Sequence, residues 1–253
     1  MIETAQAFGI DIGGSGIKGA PVDMNIGDIA EPRQKILTPE VSTPDAVGKV
    51  VKEMLDRFEV PDSMPVGIAF PAPIRPGKAL NFMANLDKSW LGVDVQKALS
   101  DSVGRHVDVV NDADAAGLAE VQFGAAKGEN GFVIATTLGT GIGSAMIYNG
   151  VLIPNSELGH LTLKGDDAEH YAAASVRENQ NLGYKKWAKR LTRYYHMLET
   201  YFNPDLFVVG GGVSRMSDRF IPQIEIETPI VPAKLRNQAG IVGAAYHAMI
   251  HQD

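Results

Sequence analysis

Two short segments of this chain share one pattern. Gly14–Ala20 reads GSGIKGA and Gly139–Ala145 reads GTGIGSA. Each lies between apolar runs: Ala7–Ile12 and Ile17–Val22 around the first, Phe132–Leu138 and Ile142–Ile147 around the second. An apolar run, a glycine turn and a returning apolar run signal a hairpin. Its recurrence points to duplication of one domain. Duplication restricts the chain to two related α/β halves, and such halves are expected to leave a cleft between them. A length of 253 residues accommodates two domains of ordinary size.

Elsewhere the apolar spacing changes. Thr43–Phe58 has helical periodicity in Val47, Val50, Val51, Met54, Leu55 and Phe58, with Ser42 or Thr43 as N-cap. Pro65–Phe70 and Val107–Val110 read as strands, and Val93–Val103 and Asp112–Phe123 as helices. Tyr184–Phe202 is a long amphipathic helix, Leu206–Val209 a strand and Ala239–Ile250 an apolar closing helix. Residues 131–156 carry no charge, but glycines and threonines interrupt them. They are expected to form two buried strands, not a membrane span.

Composition narrows the function. The formal net charge is −7, against the basic excess of a general nucleic-acid binder. The chain has no cysteine, which excludes disulfides, thiolate nucleophiles and cysteine zinc sites and fits a reducing cytoplasm. The segment MIETAQAFGIDIG has neither a basic start nor a long apolar run, so no signal peptide is expected.

Five motifs carry candidate chemistry. In Asp11-Ile12-Gly13-Gly14-Ser15-Gly16-Ile17-Lys18, bare glycines let backbone N–H groups approach an anion. Ser15 adds a donor, Lys18 a point charge for phosphate and Asp11 a ligand for magnesium, directly or through water. The spacing is not that of a Walker A loop, and a tight hairpin with a surface lysine is the plainer alternative. Gly139-Thr140-Gly141 has the same physics without the lysine. Gly210-Gly211-Gly212 ends a strand, where α/β sheets bind ligands, or serves close packing. Asn111-Asp112-Ala113-Asp114 stands where a strand becomes a helix. A carboxylate there is either a general base, with Asn111 orienting a polar substrate, or a helix cap. Asp114 is nearer the cap. Glu157 and His160 either hydrogen-bond one polyol or pair structurally.

Together these pieces resemble the ROK family of sugar kinases. DIGGSGIKGA resembles its first phosphate motif, GTGIG the second, VVGGGVS the adenosine motif, NDADAAGLAE the segment holding the catalytic base, and ELGH the sugar-holding pair. AEHYAAAS, at 168–175, resembles the end of a segment that in most members follows a zinc-binding cysteine cluster. The resemblance thus implies Glu169 as a sugar contact and no zinc site. SWLGVD, WAKRL, NPDLFVVGGGVS and TPIVPAKLRNQAGIVGAA extend the likeness to members that use inorganic polyphosphate.

The resemblance implies two ribonuclease-H-like domains of the actin/hexokinase type with an interdomain cleft. Residues 1–110 and about 237–253 would form the phosphate-binding domain, and 111–236 the other. It implies phosphorylation of glucose at the 6-hydroxyl from polyphosphate or ATP, with Mg2+ as cofactor and Asp112 as base. Asn85, Asn111, Asp112, Glu157, His160 and Glu169 would hold the sugar. Asp11, Gly13, Gly14, Ser15, Gly16, Lys18, Gly139, Thr140 and Gly141 would serve the phosphates, and Gly210, Gly211 and Gly212 the nucleotide. A homodimer is implied, with no nucleic-acid or membrane partner. An ATP-preferring kinase of glucose, mannose or N-acetylhexosamines is the alternative enzyme. A sugar-binding repressor is disfavoured, because only ten residues precede Asp11 and no helix-turn-helix fits there.

Charge is unevenly spread. Residues 177–219 hold eight basic and four acidic side chains, so this segment carries +4 against −11 for the rest. Lys185, Lys186, Lys189, Arg190 and Arg193 fall outside the apolar stripe Trp187, Leu191, Tyr194, Tyr195 and Leu198. They form either a polyphosphate track or an ordinary solvated face.

Overall fold

The computed structural model describes residues 6–81 and 86–252. The chain forms two compact units, one of residues 1–119 and 238–253, the other of 120–237. In the first, β1 (Gln6–Gly13) turns through Gly14-Ser15 into antiparallel β2 (Gly16–Asp23). Short strands β3 (Asp28–Ile29) and β4 (Gln34–Ile36) both pair with β2. Helix α1 (Pro44–Arg57) is capped by Thr43 Oγ1, which accepts from Ala46 N, and buries the predicted stripe. Strand β5 (Val66–Phe70) runs parallel to β1. Helix α2 (Val95–Val103) starts at its Asp94 cap and ends at Gly104 in the left-handed region. Strand β6 (Asp108–Asn111) pairs parallel with β5 and runs directly into α3 (Asp112–Gln122).

The second unit repeats this grammar. Strand β7 (Phe132–Leu138) turns at Gly139–Gly141 into antiparallel β8 (Ile142–Tyr148), which pairs with β9 (Val151–Ile153). A small hairpin, β10 (Thr162–Leu163) and β11 (Asp166–Asp167), leads to short helices α4 (Glu169–Ala172) and α5 (Ala174–Asn179). Then come α6 (Tyr184–Phe202), β12 (Leu206–Gly210) parallel to β7, and β13 (Ile230–Pro232) parallel to β12. The strand orders are β3-β2-β1-β5-β6 and β9-β8-β7-β12-β13. Both are an antiparallel meander continued by two parallel strands, so the glycine echo marks equivalent hairpins of a duplicated topology. All five predicted stripe residues of α6 are buried. The third glycine motif opens a run of 3-10 turns, Gly212–Arg219.

The last helix, α7 (Ala239–Ile250), returns to the first unit. Strand alternation sends Phe8, Ile10, Ile12, Val66, Ile68 and Phe70 into the core shared with α1 and α2. The opposite face presents Gly9 and Gly67, paired in register. There α7 lies almost on bare backbone: a Cβ at Gly9 would overlap the Ile241 carbonyl, and one at Gly67 the Ala244 carbonyl. Gly243 of α7 meets the Ala115 carbonyl of α3 in the same way. Among the described residues, no helix is long and apolar enough to cross a membrane.

Two predictions test this packing. Gly67→Ala forces a methyl into the Ala244 carbonyl and should cost about 1–3 kcal/mol or more. The urea midpoint reads it. His247, on α7, has its pKa pushed down to about 4 by burial and by neighbouring His251. A pKa below that of the unfolded chain means stability is full above pH 6.5 and falls as pH drops toward 4. His247→Gln should flatten that acid limb in a pH series of thermal midpoints.

Candidate active site

The first unit gathers candidate groups at the C-terminal ends of β1 and β6. Asp11 and Lys18 are cross-strand partners, and Lys18 Nζ lies 3.2 Å from Asp11 Oδ2. Gly13 and Gly16 close the turn that holds Gly14 and Ser15. A Cβ at Gly16 would collide with the side chain of Lys35, an exposed cation that sequence reading missed. Lys35 is the β4 partner of Lys18, so two lysines flank the hairpin. The start of α7 is also bare beside Asp11: a Cβ at Gly240 would lie 3.3 Å from Asp11 Cγ.

At the end of β6, the backbone turns straight from strand to helix. Asn111 is buried and its Oδ1 accepts from Ala113 N (2.9 Å) and Asp114 N (3.1 Å). The amide is therefore the helix cap. Asp112, which follows it, is exposed, and its Oδ1 accepts from Ala113 N at 2.9 Å. Its carboxylate stands at the positive end of α3, where the dipole favours charge. Asp114 is buried. Asn111 thus caps α3 through two N–H groups, and the exposed Asp112 carboxylate shares one of them, Ala113 N.

The second unit joins its sugar-type motif to its glycine hairpin. Ser144 Oγ donates to Ser156 O (2.8 Å) and accepts from Leu158 N (2.9 Å), which fixes the turn after Glu157. Gly159 sits against the Ile142 carbonyl with no room for a Cβ. Glu169, from α4, accepts from Ile142 N through Oε2 at 3.0 Å. Gly141 is bare where that carboxylate lies. Ser175, from α5, donates through Oγ to Thr140 O (2.6 Å) and through N to Gly139 O (3.0 Å). Three bonds from residues 169–175 thus clamp residues 139–142. Gly211 has φ 85° and passes against the Leu138 carbonyl, bringing the third glycine motif to the end of β7.

Glu157, His160 and Glu169 form one electrostatic group. His160 Nδ1 is 2.9 Å from Asp167 Oδ2 and its Nε2 is 3.9 Å from Glu157 Oε2. The Asp167 hydrogen bond raises the His160 pKa, and the Glu169, Asp167 and Glu157 charges add to it. Burial raises the Glu157 pKa, and Glu169 pushes it the same way while His160 opposes. Asp167, on β11, was not singled out in the sequence; its role depends on a two-residue hairpin that brings it back to His160. Asn85 lies outside the described residues.

On α6, Lys185, Lys186, Lys189 and Arg193 are exposed. Arg190 is engaged: Nη1 donates to Tyr171 O (3.1 Å), Nη2 to Gln180 Oε1 (2.8 Å), and the guanidinium lies 4.8 Å from the Tyr171 ring centroid. Arg193 donates to Tyr171 Oη at 2.6 Å. These two arginines bolt α4 and α5 onto α6. In an NMR titration, Asp167→Ala should lower the His160 imidazole pKa, because it removes the hydrogen bond that raises it; an unmoved pKa would contradict this geometry.

The ROK family pattern matches residues 7–171. A polyphosphate glucokinase of Mycobacterium tuberculosis strain CDC 1551 is 48% identical over 241 residues, covering 95% of this chain and 90% of that protein. The crystal structure of an inorganic polyphosphate/ATP-glucomannokinase from Arthrobacter sp. strain KM superposes with TM-score 0.91 at 45% identity, covering 98% of this chain and 100% of the other. A ROK family glucokinase from Streptomyces griseus, solved with glucose and AMPPNP, superposes with TM-score 0.81 at 25% identity, covering 97% and 99% of the two chains. With two units of one actin/hexokinase-type topology, the family pattern over residues 7–171 and this level of identity, the chain belongs to the ROK family.

Proposed function

We propose that this chain transfers the terminal phosphoryl group of inorganic polyphosphate, and of ATP, to the 6-hydroxyl of glucose. The local observation that carries the reading is the division of labour after β6. Asn111 caps the helix start through Ala113 N and Asp114 N, and the Asp112 carboxylate, which also accepts from Ala113 N, is exposed at the sheet's ligand edge, the edge that also holds the glycine hairpin. The 48% identity to a polyphosphate glucokinase and the 45% identity to a polyphosphate/ATP-glucomannokinase support the acceptor and both donors.

In this reading Asp112 accepts the proton as O6 of glucose attacks. The new O6–P bond forms while the bridging P–O bond of the donor breaks. The products are glucose 6-phosphate and either ADP or a chain one phosphate shorter. Positioned base catalysis of this kind contributes about 10²–10⁴ in rate. Asn111, Glu157, His160, Glu169 and, by resemblance, Asn85 bind sugar hydroxyls. A site built of such groups discriminates strongly against analogues that leave them unpaired. The hairpin amides, Ser15, Lys18, Thr140 and the added cation Lys35 face the phosphates, while Gly210–Gly212 serve the nucleotide.

Magnesium fits this donor set. Asp11 lies beside the bare start of α7 and shares one oxygen with Lys18 Nζ, and the described residues contain no group of three or more acidic or histidine side chains suited to a metal. A cation held mainly by phosphate oxygens and water needs only one or two carboxylates. When bound, it would neutralise charge on the phosphate oxygens. Absence of cysteine suits a reducing cytoplasm, where we place the protein as a homodimer on the family resemblance.

Parallel assays with long-chain polyphosphate, with ATP and with no donor test the reading. Turnover with both donors is expected. Turnover with ATP alone would return the ATP-preferring hexokinase. Asp112→Asn should lower kcat by about 10²-fold or more while glucose binding, measured calorimetrically, persists. Retained turnover would remove Asp112 as the base.

A further inference from the structure

The basic excess of residues 177–219 has a focus that is not on the outer face of α6. It lies around Tyr184, the first residue of that helix. The Arg177 guanidinium carbon is 4.7 Å from the Tyr184 ring centroid and that of Arg219 is 4.2 Å, so the two cations are at most about 9 Å apart. Tyr184 stacks near-parallel on Phe220 at 6.3 Å, and Trp187 packs against Phe220. The platform is therefore anchored in the core. Lys185 and Lys186 follow in the first helical turn, both exposed, and Arg215 is exposed on the adjoining 3-10 segment.

Carboxylates offset little of this charge. Glu178 reaches Arg177 at 3.3 Å, with its side chain largely exposed, and Asp218 is exposed beside Arg219. Buried Arg177 Nε has no hydrogen-bond partner. Like charges within a Debye length repel, and an aromatic face compensates only in part. The first turn of a helix is also the wrong place for two lysines.

Position gives the cluster a purpose. Ser175 binds the tip of the Gly139–Gly141 hairpin, and Arg177 comes two residues later on α5. The Gly212–Arg219 turns leave β12 where Gly211 meets Leu138 and end at the Tyr184 ring. Both connections lead from the glycine motifs to the same cations.

We propose that Arg177 and Arg219, which pack on the Tyr184 ring, with the exposed first-turn Lys186 beyond them, bind the distal phosphates of a condensed phosphate chain whose end is engaged at the Gly139–Gly141 hairpin. The proposal rests on polyphosphate being a donor. It places the outer anion site at the start of α6, away from Arg190 and Arg193, which hold Tyr171.

The test uses the full chain carrying Arg219→Gln with Lys186→Gln, both exposed positions. KM for long-chain polyphosphate should rise at least fivefold, while KM for ATP and for glucose stays within twofold. Titration of the intrinsic Tyr and Trp fluorescence with long-chain polyphosphate, without glucose, should show weaker binding by the variant. Equal losses with ATP and with the long chain, or unchanged KM and binding for the long chain, would overturn the proposal. If the unmodified protein transfers nothing from polyphosphate, the donor reading fails by itself. The fluorescence titration then still decides whether these side chains bind the polyanion.

Discussion

The seating of α7 on the glycine floor of β1 and β5 is the contact on which the first unit depends. Gly9 and Gly67 are register partners, and each meets a carbonyl of α7 at a distance that excludes a Cβ. Gly243 does the same from the helix side against α3. Backbone approach of this kind leaves no side chain to adjust, so it sets helix position within narrow limits. Two consequences reach the chemistry. The bare start of α7 comes beside Asp11, and α3, with Asn111 and Asp112 at its head, is braced through Ala115. A helix from the far end of the sequence thus helps place both Asp11 of the first hairpin and the proposed base.

The second unit solves a related problem with hydrogen bonds. Its hairpin has no lysine and no helix laid against glycines. It is held instead by Glu169 on Ile142 N and by Ser175 on the Gly139 and Thr140 carbonyls. Glu169 also shifts the Glu157 and His160 pKa values upward. The residues read as sugar contacts and the residues read as phosphate contacts are therefore mechanically joined. Asp167 completes the group by holding His160 Nδ1, which leaves Nε2 directed to the Glu157 side.

Much of this was legible before any coordinates. The paired hairpins, the long helices and the buried stripe of α6 follow from period and turn chemistry, which are local. The candidate site was legible as motifs because glycine turns, a carboxylate at a strand end and an acid–histidine pair carry their chemistry in residue type. Its assignments were not. Asn111 and Asp112 are adjacent and both able to cap; only the backbone path after β6 decided that the amide does so. Arg190 and Arg193 looked like Lys186 and Lys189 by spacing, yet long-range contact with Tyr171 engages them. Lys35 and Asp167 carry no motif of their own, and Ser175, though within AEHYAAAS, has no chemistry legible from its type.

Residue order by itself determined a duplicated α/β chain with two glycine hairpins, because alternation, helical period and turn preference act between near neighbours. Tertiary structure alone decided what each glycine lies against. Gly9 and Gly16 each precede an isoleucine of one hairpin, but one faces the Ile241 carbonyl and the other the Lys35 side chain. The physical reason is that steric exclusion and hydrogen bonding between distant segments depend on where strands and helices are stacked, and a one-dimensional pattern does not contain that distance.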